Sequence, residues 1–254
     1  MADFGSSQAI LHAVEEPHRF FLDDIISNIE IHGYHIVDGC HSEGDVLAFL
    51  SRLGNTVQHR DSESTGVTYL ATKGGIANLP GFAGFSSEAL PPHTDRSALP
   101  VPPRLLAMGW CFASSAGGDL SVHDFAKILP RLRKAHPSVV DLITEQLRIR
   151  YDDGEQSFHG PMLEAVGENR FRLRFRIDGN GYYRFVDSAL ISLLVQEINR
   201  TQMPVRLGPG QLIIIDNHRC LHSRGHYCGE RLVLRVLLDT EHLEAGFEEC
   251  SDAT

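Results

Sequence analysis

The segment His93-Thr-Asp95 sets an imidazole and a carboxylate two residues apart. In extended backbone, residues i and i+2 project to the same face, so both side chains can converge on one ion. A third ligand has to come from elsewhere in the chain. Gln211-Leu-Ile-Ile-Ile-Asp-Asn-His-Arg-Cys-Leu-His222 offers it, as a β-branched run that enters a turn and ends on histidine. Two histidines and one carboxylate occupy one face of an octahedron, an arrangement that suits non-haem Fe(II) and leaves three positions open for a co-substrate and oxygen. An H-x-D triplet alone says little in a chain with 14 histidines, where a capped turn explains it as well. The residues after His222 add weight. Arg231-Leu-Val-Leu-Arg235 reads as a strand with two guanidinium groups on one face, and arginines there either face solvent or bind an anion.

Other chemistries fit less well. His218, His222 and His226 are spaced by four as on a zinc-binding helix, but Arg219 stands where a zincin needs glutamate and the preceding Leu-Ile-Ile-Ile run is strand-like. His218 and His226 read as hydrogen-bonding loop residues. Gly84-Phe-Ser-Ser-Glu88 misses the nucleophile elbow, and neither Gly74-Gly75 nor Gly117-Gly118 is followed by the Lys-Ser/Thr of a phosphate cradle.

The elements that would position these residues are legible in part. Phe20, Phe21, Ile25, Ile26 and Ile29 have helical spacing and stop at His32-Gly33, before the strand Tyr34–Val37. Ser42 caps a second helix with apolar face Val46, Leu47, Leu50 and Leu53, which Gly54 closes in a left-handed conformation. Residues 60–104, rich in glycine and proline, read as lid-like loops around the short strand 67–71. Leu105–Cys111, Gln211–Asp216 and Arg231–Leu238 are predicted strands, and Val139–Leu147 and Ser188–Ile198 predicted helices. Arg170–Ile177 alternates strictly, apolar residues toward the core and most of its arginines toward solvent. Residues 241–254 read as an acidic solvated tail. The mixture predicts a mainly β fold with flanking helices, as one domain over 1–254.

Composition narrows the function. The 254 residues are 42% hydrophobic and 22% charged, the balance of a folded chain. Asp and Glu outnumber Lys and Arg by 33 to 23, so no overall field gathers nucleic acid or anionic lipid. No apolar run approaches the roughly 18 residues of a membrane span, and Met1-Ala-Asp-Phe-Gly-Ser-Ser7 lacks a signal-peptide pattern, which predicts a cytoplasmic protein. Five scattered cysteines without a C-x-x-C pair suggest reduced thiols.

Taken in order, His93-x-Asp95, Asp216-Asn217-x-Arg219-x-x-His222-x-Arg224 and Arg231-x-x-x-Arg235 resemble the TauD/TfdA superfamily of Fe(II)/2-oxoglutarate-dependent oxygenases. The ending Arg231-Leu-Val-Leu-Arg235-Val is similar to the clavaminate-synthase-like branch. The resemblance implies a double-stranded β-helix (jelly roll) core, iron held by His93, Asp95 and His222 as the catalytic centre, and Arg231 paired with the distal carboxylate of 2-oxoglutarate. It gives Arg235 an anionic group of the prime substrate. The family often carries threonine after Gly-Gly-Asp/Glu; Gly117-Gly-Asp-Leu-Ser121 has leucine there, which leaves Ser121 as the substitute at the 2-oxoglutarate site. Ser87 and Glu88 touch substrate or form a solvated rim, and Asp178 meets a basic substrate group or is a turn aspartate. Retention of the Asp95 carboxylate points to an oxygenase and away from a halogenase.

The implied activity is hydroxylation of an unactivated C–H bond, with Fe(II) as cofactor and 2-oxoglutarate and O2 as co-substrates. The substrate class is a small polar metabolite, an amino acid or an amino-acid-derived natural-product intermediate, free or tethered to a carrier. Desaturation, epoxidation and ring closure use the same iron site. The reading from a different class is a non-catalytic β-sandwich that binds metal or ligand.

Overall fold

Strict alternation along three apolar strands organises the molecule, as seen in a computed structural model that describes residues 17–73, 81–112 and 114–250. The Met1–Ser7 start, the side chain of Phe20, Gly74-Gly75, Pro80 and residues 251–254 lie outside what is described. In Leu105–Phe112, Leu212–Asp216 and Leu232–Asp239, one set of side chains (Leu105, Ala107, Leu212, Ile214, Leu234, Val236, Leu238) packs under the first two helices. The intervening set (Leu106, Met108, Ile213, Ile215, Val233, Leu237) faces a second sheet. Period-two alternation with both faces apolar marks a sheet covered on both sides.

That major sheet runs Tyr34–Val37, Leu212–Asp216, Leu105–Phe112, Leu232–Asp239 and Asn55–Val57, with Thr68–Leu70 added to Leu232–Asp239; every pairing is antiparallel. Facing it is a four-stranded sheet in the order Met203–Val205, Leu120–Asp124, Cys220–Arg224 and Leu90–His93. Leu120, Val122, Val205 and Cys220 close the core between the two sheets. Helices α1 (Pro17–His32) and α2 (Glu43–Leu50) cover the major sheet, and α3 (Phe125–Ala135), α4 (Pro137–Thr144) and α5 (Ser188–Arg200) pack outside the smaller one. The result is a jelly roll of the double-stranded β-helix type. No helix among the described residues is long and apolar enough to cross a membrane, and all five cysteines are free.

Four expectations are corrected. Gly54 does not adopt a left-handed φ; α2 ends at Leu50, and glycine is needed at 54 because a Cβ would lie 2.1 Å from the Asp239 carbonyl oxygen. Ser42 does cap the other end, in a capping box with Asp45 N–H donating to Ser42 Oγ and Ser42 N–H to Asp45 Oδ2. The arginine row is not a solvent face: the strand stops at Leu173, Arg172 and Arg174 are buried against Glu164, and Arg174 stacks on Phe158 at 3.9 Å while donating to Leu99 and Pro100 carbonyls. Nor is 241–250 a free tail. Leu243 and Phe247 are buried, and Phe247–Glu248 pairs with Arg170–Phe171. Lastly, α3 was missed: Pro130 interrupts its pattern, and Asp124 caps it by accepting from Ala126 N–H.

Candidate active site

The candidate ligands meet because two strands pair in register. His93, at the end of Leu90–His93, is the direct cross-strand partner of His222 in Cys220–Arg224, with ring centroids 4.1 Å apart. Asp95 follows two residues later, its Oδ1 lying 3.5 Å from His93 Nε2 and 4.0 Å from His222 Nε2. One ligand atom from each of the three falls within 4.8 Å of the others, and all three residues are buried. His93 Nδ1 is 2.9 Å from the Pro91 carbonyl oxygen, so Nδ1 carries the proton and Nε2 keeps its lone pair for a metal.

The strands place the imidazoles, and Asn217 places the carboxylate. Its Oδ1 accepts from Asp95 N–H at 2.7 Å, and its Nδ2 donates to the carbonyls of Asp95 and Pro103 at 3.1 and 2.9 Å. Arg235 lies on the inner face of its strand between Val233 and Leu237, and its Nη1 donates to Asp95 Oδ2 at 3.1 Å. With Oδ2 occupied, Oδ1 alone is presented toward the two histidines. Burial works against charge on Asp95, but Arg235 and the neighbouring imidazoles hold its carboxyl well below the usual range. Burial and the facing His93 push His222 well below the usual imidazole value, so His222 is a neutral donor. The His222 Nδ1 atom is buried without a hydrogen-bond partner. A buried His/His/Asp face with one oriented carboxylate oxygen fits a divalent non-haem metal.

The triad sits in a cavity of about 940 Å³, its open mouth included. Arg231 lines it too, buried, with its guanidinium 5.4 Å from the Tyr227 ring centre. Burial and the adjacent Arg224 lower it to about 10, so an anion placed there relieves both effects. Arg224 is turned back to the loop, where it donates to the Ser86 and Glu88 carbonyls, and it also lies over Tyr227. Leu70, Phe85, Met108 and Leu120 form the apolar part of the wall.

The remaining predicted residues lie elsewhere. Ser121 follows the inward-facing Leu120, so strand parity turns it to the outer face, where it accepts from Gln202 Nε2 at 2.8 Å. Asp178 is not on the cavity wall; it receives both Nε and Nη2 of Arg176, which is. Ser87 accepts from Tyr227 N–H through its carbonyl, and exposed Glu88 approaches His226 at 3.9 Å, which puts both on the rim. Unanticipated from sequence are His59, Arg60, Asp61, Arg96, Asp153 and Asn180 on the wall. Arg96 directly follows the first triplet and His59-Arg60-Asp61 is a second H-x-D triplet, but nothing local says that these residues meet Asp153 and Asn180 on one wall.

His218, the rival third ligand, points away from the triad. Its Nε2 lies 2.8 Å from the Pro102 carbonyl oxygen, and its Nδ1 accepts from Gly246 N–H at 3.4 Å. Burial first, then Arg104, push it down to about 3. The unfolded chain takes up a proton on this imidazole below pH ~6.5 and the folded chain does not, so its stabilising contribution is whole above pH ~6.5 and declines as pH falls toward 3. Between pH 6.5 and 5 the wild type should lose about 2 kcal/mol more than His218→Gln, read from urea midpoints at each pH. Parallel curves would rule out a buried neutral His218.

The family model of the taurine catabolism dioxygenase TauD, TfdA family matches residues 9–237 of the chain. No curated protein matches it in sequence. Among solved structures, asparagine oxygenase in complex with Fe(II), 2S,3S-3-hydroxyasparagine and succinate is similar with a TM-score of 0.68 at 16% identity, covering 88% of this chain and 79% of its own. The non-heme iron oxygenase OrfP in complex with Fe, succinate and (3S)-hydroxy-L-Arg gives 0.69 at 15% identity, with 89% and 81% covered. OrfP in complex with Fe and alpha-ketoglutaric acid gives 0.67 at 15%, with 87% and 80% covered. At these identities the structures speak for the fold, the same jelly roll over nearly nine tenths of the chain. The family model spans all of the His93, Asp95, His222, Arg231 and Arg235 positions, and the chain belongs to the TauD/TfdA family of dioxygenases.

Proposed function

We propose that the protein is an Fe(II)- and 2-oxoglutarate-dependent dioxygenase that hydroxylates a C–H bond of a small amino-acid-type metabolite. One observation carries this reading: the buried His93/Asp95/His222 face opens into a cavity that is also lined by the buried Arg231. The solved relatives, which bind hydroxylated amino acids together with iron and succinate, support the substrate class. Iron and 2-oxoglutarate, when bound, supply the oxidising chemistry with O2 and release succinate and carbon dioxide. The chain itself provides placement. His93 and His222 offer Nε2 and Asp95 offers Oδ1. Arg235 keeps the carboxylate ionised and turned, Arg231 holds the far carboxylate of the keto acid, and the Phe85, Met108 and Leu120 wall keeps the cavity dry.

Anaerobic addition of Fe(II) and then 2-oxoglutarate to the metal-free protein should produce the weak visible charge-transfer band of a chelated keto acid. Loss of an outer hydrogen bond to a metal ligand already costs 10- to 100-fold in metal affinity. His222→Ala should therefore weaken Fe(II) binding by more than about 100-fold and abolish the band while leaving the circular dichroism unchanged. A band that survives in His222→Ala and disappears in His218→Ala would reassign the third ligand.

A further inference from the structure

The strand that carries His93 is weakly held by its own ladder. Leu90-Pro91-Pro92-His93 lies at the edge of the smaller sheet, beside Cys220–Arg224, and its two prolines have no N–H to give. The pairing is irregular as well. His222 faces His93 and Arg224 faces Leu90, so a step of two residues on one strand meets a step of three on the other, a β-bulge next to the metal ligands. A metal site needs its ligands held closely in place, and this ladder supplies little of that restraint.

Arg224 supplies the rest. The segment Gly84–Glu88 leads into the strand, and its carbonyls are satisfied in alternation. Arg224 donates through Nη1 to Gly84 at 3.4 Å and through Nη2 to Ser86 at 2.8 Å and to Glu88. The carbonyls between take backbone donors, Lys73 N–H on Phe85 at 2.9 Å and Tyr227 N–H on Ser87 at 3.0 Å. The Arg224 side chain is buried, lies 4.9 Å from the Tyr227 ring centre and, two residues after His222, faces the same cavity.

Position passes from this segment to the imidazole with little slack. Between Glu88 and His93 stand Ala89, Leu90 and two prolines whose rings fix φ. The Pro91 carbonyl meets His93 Nδ1 and so sets the turn of the ring. Gly84 and Phe85, from the same segment, line the cavity.

We propose that Arg224 is a positioning residue of the metal centre, its guanidinium fork standing in for the ladder bonds that Pro91 and Pro92 cannot make. His222 and the brace that holds His93 then belong to one strand, which fixes the two ligands relative to each other. The inference rests on the metal reading above and adds to it a residue that is not itself a ligand. The acceptors are neutral carbonyls spread along one segment, so the shape of the fork matters more than its charge, and lysine, a point charge on a flexible stem, cannot serve all three.

The test compares wild type, Arg224→Lys and Arg224→Met by anaerobic Fe(II) titration of the metal-free protein, followed by intrinsic fluorescence, and by backbone hydrogen exchange on the same samples. Both variants should bind Fe(II) about 10- to 100-fold more weakly, the cost of losing a group that holds a ligand from outside. The amides of residues 84–90 should exchange on the order of tenfold faster, with those of Leu105–Phe112 and Leu212–Asp216 at wild-type rates. A residue that only supports the fold would lower the urea midpoint and leave the Fe(II) affinity of the folded protein unchanged. That result, or an Arg224→Lys variant that matches wild type in both measurements, would overturn the proposal. Arg224→Lys keeps the charge and most of the length, so it carries the comparison where Arg224→Met does not fold. Wild type that binds no Fe(II) would refute the metal reading itself, whereas wild type that binds it alongside either overturning result refutes the role of Arg224 alone.

Discussion

Replacing Arg231 with methionine should raise the 2-oxoglutarate concentration needed for turnover by about two orders of magnitude, with Fe(II) affinity nearly unchanged. Removing one partner of a buried charge pair costs about 2–5 kcal/mol, roughly 30- to several-thousand-fold in binding, much of it from the carboxylate left buried without a counter-ion. Methionine preserves most of the side-chain volume, so the effect isolates the charge. The split between the two ligands follows from geometry. Arg231 packs on Tyr227, whose hydroxyl is 2.8 Å from Thr72 Oγ1, whereas the metal carboxylate is held by Arg235 and Asn217. Titrating 2-oxoglutarate against succinate release, and Fe(II) against intrinsic fluorescence, measures both. An unchanged 2-oxoglutarate requirement would remove Arg231 from the keto-acid site, and a parallel loss of Fe(II) affinity would make it part of the metal support.

The roles of the two arginines in Arg231-x-x-x-Arg235 show where sequence reading succeeds and where it stops. The spacing places both on the cavity side of one strand, as the period of a strand requires, and the structure has both on the wall. Spacing cannot say which anion each one meets. Arg235, expected at the substrate, lines the cavity and also donates to Asp95, because the H-x-D segment passes beside the inner face of the strand at that level. Ser121 failed for the same kind of reason. One residue of parity decides between cavity and outer face, and Leu120 took the inner place. Local patterns were otherwise reliable where apolar side chains met a core, as in the three apolar strands and α5, and at the Ser42 cap. They misled where arginines replaced the polar face, since Arg172 and Arg174 are buried through pairing with a glutamate that no local pattern signals. Part of the cavity wall was illegible for a topological reason: Arg60, Arg96, Asp153 and Asn180 come from four segments whose meeting depends on how the whole jelly roll closes.

The largest stability effect belongs to a residue that touches neither metal nor cavity. Arg219, in the turn between Leu212–Asp216 and Cys220–Arg224, binds Asp124 through two parallel bonds of 2.7 Å, Nε to Oδ1 and Nη2 to Oδ2. Its remaining donors reach the Glu30 and Ile31 carbonyls at 2.5 and 3.1 Å, in the last turn of α1, where helix carbonyls lack partners. Asp124 in turn caps α3. One buried guanidinium thus joins the C-terminus of α1, the N-terminus of α3 and the turn that leads to His222, and both helix dipoles favour the charges it brings together. Burial opposes its charge, but the Asp124 carboxylate outweighs burial and raises its pKa. Arg219→Met should destabilise the fold by about 3 kcal/mol, because buried Asp124 then keeps only the half-exposed Lys127, 3.3 Å away, as a counter-ion. The double variant Arg219→Met/Asp124→Leu should recover part of that loss by replacing the pair with apolar groups. Chemical denaturation of wild type, both single variants and the double variant gives the coupling directly. Additive losses would mean that the pair contributes no mutual stabilisation. A coupling of about 2 kcal/mol or more would show that the fold anchors the strand carrying His222 through a charge pair outside the catalytic cavity.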